Sequence, residues 1–130
     1  MLEWELTQKK RILYENEAVV AYAPFVSKNP FESRIYPRIH APYFEETNDV
    51  LLSQTAAALQ FVLQRFGKKL RDPDYNFFVH TAPIQDKTTY SMYHWHIEVI
   101  PKITTDAGFE LGTGIEINVI DPDQAIEILK

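Results

Sequence analysis

The stretch Tyr93–Lys102 constrains this chain more than any other, because its residues change character at every step. Tyr93, Trp95, Ile97 and Val99 are apolar or aromatic, whereas His94, His96 and Glu98 are ionisable. A β-strand sends successive side chains to opposite faces, so the two sets part, one toward a core and one away from it. The ionisable set then stands in a row at steps of about 7 Å, close enough to converge on one metal ion or phosphate. Two of the four histidines in the chain are spent there. The plainer alternative is a solvated face on a half-buried strand. Such faces carry Lys, Thr or Glu more often than paired imidazoles among bulky neighbours.

His80 lies on the strand expected just before, Tyr75–Thr81, and the polar loop Gln85–Thr89 joins the two. A short connection makes consecutive strands antiparallel neighbours, which sets His80 beside His94 or His96. Three histidines with an acidic residue form a plausible set for zinc or ferrous iron. For His80 alone, a strand residue bonded to backbone is an equal alternative. There is no cysteine, so disulfides, thiol catalysis and thiolate metal sites are excluded.

The rest of the chain frames these strands. Leu2–Lys9 reads as a short helix, Arg11–Tyr14, Ala18–Ala23 and Ser33–Tyr36 as strands, and Ser27–Pro30 as a loop. The longest periodic segment runs from about Asn48 to Leu70, with Thr47 or Asn48 as cap and apolar residues at Val50, Leu51, Leu59, Val62, Leu63 and Phe66. Asp72-Pro73-Asp74 stops it. After a glycine-containing stretch, Gly108–Gly114, a strand is expected at Ile115–Val119, and Asp121 caps a last helix with Pro122 at its first position. Strands, one long helix, then two more strands give an α+β class with an antiparallel sheet.

A chain of 130 residues with 45% hydrophobic content suits a single domain, 1–130, with a core of its own. Its 18 acidic and 13 basic residues leave a formal charge of −5, which argues against broad binding to nucleic acid. Met1–Lys10 has no apolar run, and no segment is long enough to span a membrane, so a soluble cytoplasmic protein is expected.

The run His94-Trp95-His96-Ile97-Glu98-Val99-Ile100-Pro101 resembles the histidine-triad motif, with Glu98 where a third histidine would stand. Pro30-Phe31-Glu32, Pro37-Arg38-Ile39-His40, His80-Thr81-Ala82-Pro83 and Gly108-Phe109-Glu110-Leu111-Gly112-Thr113-Gly114 extend the likeness across nearly the whole chain. Together they resemble the C-terminal half of galactose-1-phosphate uridylyltransferases and related sugar-nucleotide phosphorylases. That resemblance implies a histidine-triad-like sheet with one long helix packed on it. It also implies a structural zinc or iron on His80, His94 and His96, with a fourth ligand from an N-terminal half. A nucleophile in that missing half, a nucleotide sugar or sugar phosphate as substrate, and a homodimer complete the expectation. The Gly112-Thr113-Gly114 turn would then approach the nucleotide sugar in a partner subunit, its backbone N–H groups offered to phosphate oxygens.

Two alternatives stay open. A freestanding nucleotide hydrolase or transferase would use His96 as its nucleophile, tuned by Glu98 or His94. A non-catalytic partner module would use only a sheet face. His40, Arg38 and Lys102 are weaker candidates, read first as ordinary strand-end residues.

Overall fold

The computed structural model describes residues 1–85 and 88–130. In chain order the elements are α1 (Leu2–Gln8), β1 (Ile12–Glu15), β2 (Val19–Tyr22), β3 (Ser33–Pro37), α2 (Asp49–Lys69), β4 (Tyr75–His80), β5 (His96–Pro101), α3 (Gly108–Thr113) and α4 (Pro122–Leu129). The five strands form one antiparallel sheet in the order β1-β2-β3-β5-β4, so β5 is inserted between β3 and β4. The expected α+β class holds. No helix among the described residues is long and apolar enough to cross a membrane.

One face of the sheet carries the core. Val19, Ala21, Ile35, Trp95, Ile97 and Val99 meet Leu51, Ala58, Val62 and Phe66 of α2, and Ala125, Ile126 and Leu129 of α4 close the end. The long helix starts where expected, because Asn48 Oδ1 accepts the Leu51 N–H at 2.8 Å and satisfies one of the free donors of the first turn. Lys68 and Lys69 sit in the last turn, against the negative end of the helix dipole. Val50 departs from the reading. It is 73% exposed, since the buried stripe runs through Leu51, Thr55, Ala58, Val62 and Phe66.

Other expectations are corrected. Strand β5 begins at His96 and not at Tyr93, because the Trp95 N–H is taken by the Ala41 carbonyl at 2.9 Å outside the ladder. Ile115–Val119 forms no strand. Ile115, Ile117 and Val119 remain largely exposed, and Asn118 instead ties the segment to the loop at Ser27, its Nδ2 donating to Ser27 Oγ at 2.8 Å. The Gly108–Gly114 stretch folds as the short helix Gly108–Thr113, so Gly112-Thr113-Gly114 is the end of a helix, closed by Gly114 at φ 70°, a left-handed residue where glycine carries no Cβ penalty. The Gln85–Thr89 loop includes Asp86 and Lys87, which lie outside the described residues.

A buried ion pair fastens α1 to the sheet. Arg11 donates from Nε and Nη2 to Glu5 Oε2 at 3.1 and 2.9 Å, while Glu5 Oε1 accepts the Phe25 N–H at 3.0 Å. The guanidinium lies about 5 Å from the ring centroids of Trp4 and Phe25, at 5.1 and 5.2 Å, and its Nη1 reaches Asp123 of α4. Arg11 and Glu5 are 2% and 1% exposed. Removing one member of such a pair strands the other charge in an apolar surround. Arg11→Ala should therefore cost about 3–5 kcal/mol of stability, read by urea unfolding. Asp123→Ala, with its carboxylate half in solvent, should cost less than about 1 kcal/mol.

Candidate metal and phosphoryl-transfer site

The second face of the sheet collects the polar side chains. Strand β5 supplies His96 and Glu98, β4 supplies His80, and β3 supplies Arg34 and Tyr36. Register places them: His80 lies opposite His96, Phe78 opposite Glu98, and Arg34 opposite Glu98 from the other side. Because β5 is interior, its alternation serves two purposes. Trp95, Ile97 and Val99 are buried in the core, and His96 and Glu98 face the other way, half-buried.

Four aromatic rings stack across the strands on this face. Tyr22 and Tyr36 lie 5.8 Å apart, Tyr36 and His96 4.6 Å, and His96 and His80 4.7 Å, the last two pairs within 17° of parallel. Both faces of the His96 ring are thereby covered. Stacking of this kind holds an imidazole in a fixed plane and leaves only its edges for chemistry.

The edges of His96 meet two oxygens. Nδ1 is 3.3 Å from the His94 carbonyl and Nε2 is 3.3 Å from Glu98 Oε1. A neutral imidazole carries one N–H, so it can donate to only one of them. The other contact sets a lone pair against an oxygen unless a cation intervenes. Burial is the largest influence on His96 and pushes its pKa below the ordinary histidine value, against the pull of the His94 carbonyl and Glu98. The proton is thus the disfavoured cation. His80 Nε2 repeats the arrangement, being buried with no hydrogen-bond partner and 3.5 Å from Glu98 Oε2.

One ligand atom each from His80, His96 and Glu98 lie within 4.8 Å of one another, so these three residues could hold a divalent ion. Two imidazoles and a carboxylate suit zinc or iron. The charge balance agrees. Glu32 and Arg34 neutralise one another through Arg34 Nε and Nη2 at 3.0 and 2.8 Å from Glu32 Oε1, which leaves the Glu98 charge without a full counterpart.

His94 stands apart from that trio. Its Nε2 is 2.9 Å from the Pro37 carbonyl, and its ring makes edge contacts with Tyr36 and His40 at 5.3 and 5.4 Å. Burial lowers its pKa as well. It borders a cleft of about 360 Å³ between α1 and β3, lined by Glu3, Leu6, Tyr36, Arg38, His40 and His94. His40 Nε2 is engaged at 2.6 Å by the Ser91 carbonyl, and Arg38 by Glu15 at 2.6 Å and the Asn16 carbonyl at 2.8 Å. Both are thus tied to the strands and loops around them.

Gly112, Thr113 and Gly114 lie away from this cluster, at the end of α3. The Gly114 N–H is taken by the Glu110 carbonyl at 2.8 Å, and Thr113 Oγ1 is occupied by the Phe109 carbonyl and the Ile115 N–H. The open phosphate-binding turn expected there is not formed. Sequence reasoning missed Glu32, Arg34 and Tyr36 as neighbours of the histidines. The signal was present in the alternation Ser33-Arg34-Ile35-Tyr36-Pro37, which puts Arg34 and Tyr36 on one face once β3 and β5 are known to pair.

Comparison with known proteins agrees with this geometry. The HIT domain model matches residues 5–105. ADP-glucose phosphorylase of Arabidopsis thaliana is 32% identical over 127 residues, which cover 97% of this chain and 36% of the relative. Galactose-1-phosphate uridylyltransferase of Thermotoga maritima is 28% identical over 130 residues, covering 94% of this chain and 41% of the relative. The crystal structure of the Arabidopsis ADP-glucose phosphorylase with bound ADP-glucose superposes with a TM-score of 0.87 at 31% identity, over 95% of this chain and 41% of that one. The chain thus spans about two-fifths of the length of these relatives. A five-stranded sheet with β5 inside it, a long helix on one face and histidines on the other, together with these matches, show that this chain belongs to the HIT-domain family, similar to galactose-1-phosphate uridylyltransferase and ADP-glucose phosphorylase.

Proposed function

We propose that this chain is the metal-binding half of a nucleotidyltransferase that exchanges phosphorylated groups between hexose 1-phosphates and nucleotide sugars. The observation that carries the reading is the convergence of His80, His96 and Glu98 within 4.8 Å, in a chain whose relatives are a uridylyltransferase and a sugar-nucleotide phosphorylase. His80 and His96 hold a zinc or iron ion with Glu98, and His94 joins them only by turning away from the Pro37 carbonyl. The ion supplies a rigid cross-link between β4 and β5.

His96 serves as ligand and not as nucleophile. Glu98 Oε1 stands 3.3 Å from His96 Nε2, so an anionic phosphoryl group approaching that nitrogen would be repelled, whereas a cation would be drawn in. The attacking group comes from the additional half that the longer relatives contain. The α3 arm, with Phe109 and Leu111 exposed, reaches toward the nucleotide sugar of that assembly.

Strand β4 supplies the seam. It is an edge strand whose Tyr75, Phe77, Phe78 and Val79 are all exposed, with no Lys or Pro to guard it. The opposite edge, β1, is shielded by contacts with α4 and by the Arg38–Glu15 ion pair. An unguarded apolar edge invites another strand, and the second half, or a second copy in its absence, lies along it.

Four outcomes follow. Zinc titrated into the purified chain should bind about one ion, and His80→Ala or Glu98→Gln should weaken it by more than the roughly 10–100-fold typical of supporting residues. Protons compete with metal for imidazole, and the lowered pKa of His96 delays that competition, so affinity should persist to a lower pH than an ordinary histidine site allows and be lost as His96 protonates. A chain that binds no zinc at any pH would remove the ligand set. Phe77→Lys with Val79→Lys should leave the fold intact and abolish association with the second half or a second copy, measured by light scattering after gel filtration. Finally, the isolated chain should turn over neither UDP-glucose with galactose 1-phosphate nor ADP-glucose with phosphate. Turnover lost on His96→Ala would establish the freestanding enzyme in its place.

A further inference from the structure

Behind the donor set lies a relay of polar contacts that the proposed activity leaves unused. It begins in the turn before β3. Phe31 there is a buried non-glycine residue at φ 59°, in the left-handed region. That conformation tucks Glu32 beneath its own turn, 2% exposed, where Oε2 accepts the N–H groups of Lys28 and Asn29 at 3.0 and 3.3 Å. The other oxygen, Oε1, takes Nε and Nη2 of Arg34 at 3.0 and 2.8 Å. From this clamp Arg34 Nε also reaches Glu98 Oε1 at 3.3 Å.

The relay has a direction. A guanidinium on a flexible stem gives up rotamer freedom to hold one geometry, and a planar fork engaged from behind has little left to lose. Glu32 provides that engagement. Arg34 Nε, its one hydrogen directed to Glu32, holds Glu98 Oε1 by charge at 3.3 Å, the same oxygen that His96 Nε2 approaches, while the second oxygen, Oε2, faces His80 Nε2. The guanidinium charge is already matched by Glu32, so it restrains Glu98 without cancelling the charge that a metal ion would meet. Burial pulls the Arg34 pKa down, but its bonds to Glu32 and the charge of Glu98 more than offset this, and the residue stays cationic.

We infer that Arg34 is a positioning residue for the His80–His96–Glu98 donor set, and that the Pro30-Phe31-Glu32 turn exists in part to hold Arg34 in that role. The inference rests on the metal reading of the same cluster. It assigns work to a motif that otherwise marks only kinship.

The test is metal affinity of the whole chain, with zinc measured against a competing chelator and cobalt(II) by its visible absorption. Arg34→Met should weaken zinc binding by about 10–100-fold, the cost usual for a residue that orients a ligand, and should alter the cobalt spectrum. Arg34→Lys, which keeps charge but not the fork, should recover part of the affinity. Glu32→Gln should weaken binding in the same direction with Arg34 unchanged, and it remains informative should Arg34→Met fold poorly. Arg65→Met, on the exposed side of α2, should leave affinity as it was. Unchanged affinity and spectrum in Arg34→Met and Glu32→Gln, with wild-type binding intact, would overturn the positioning role and leave the metal reading standing. Tighter binding in Arg34→Met would also overturn it, by making Arg34 a competitor of the ion. Absence of metal from the wild-type chain would remove both.

Discussion

The polar face of this protein depends on β5 being an interior strand. Flanked by β3 and β4, it has both its backbone edges paired, so its pleat cannot slip by one residue without turning Trp95, Ile97 and Val99 out of the core. The same register that buries those three side chains sets His96 opposite His80 and Glu98 opposite Arg34. Core packing therefore fixes the site geometry at no additional cost. An edge strand with the same sequence would have one partner fewer and could deliver only half of these juxtapositions.

Much of this was legible in the residues. The alternation from Tyr93 to Val99 was enough to separate a packing set from an ionisable set, and the short connection from Tyr75–Thr81 was enough to bring His80 alongside. The long helix and its Asn48 cap were equally plain, since periodicity and capping chemistry are local. What was not legible depended on contacts between distant segments. Ile115, Ile117 and Val119 alternate as a strand should, yet the segment pairs with no strand and is tied instead by the Asn118 amide to the Ser27 loop and by the Ile117 N–H to Glu110. The Gly108–Gly114 segment folds as helix because Glu110 reaches back to the Ala107 N–H at 3.0 Å, a local tie that three glycines had masked.

His94 shows where strand alternation stops being a sufficient guide. It shares the face of His96, as the pattern demanded, and both touch the Tyr36 ring. Which of them meets His80 was decided by the β4–β5 register, which sets His80 opposite His96, while the Pro37 carbonyl at the end of β3 takes the His94 ring. Glu98 then occupies the place that a third histidine would take, and it brings a full charge in exchange for a neutral ligand.

That exchange bears on what the cluster can bind. Arg34 and two imidazoles by themselves would make a reasonable cradle for phosphate. With Glu98 between them, 3.3 Å from both Arg34 and His96, a dianionic group would meet a carboxylate whose repulsion grows as the site dries. Burial compounds this by holding His96 neutral, so that the imidazole offers a lone pair to cations more readily than a proton to anions. Cation and anion are thus distinguished by a single side chain. A phosphate group is therefore poorly served by this cluster, whose floor is a carboxylate beside neutral imidazoles.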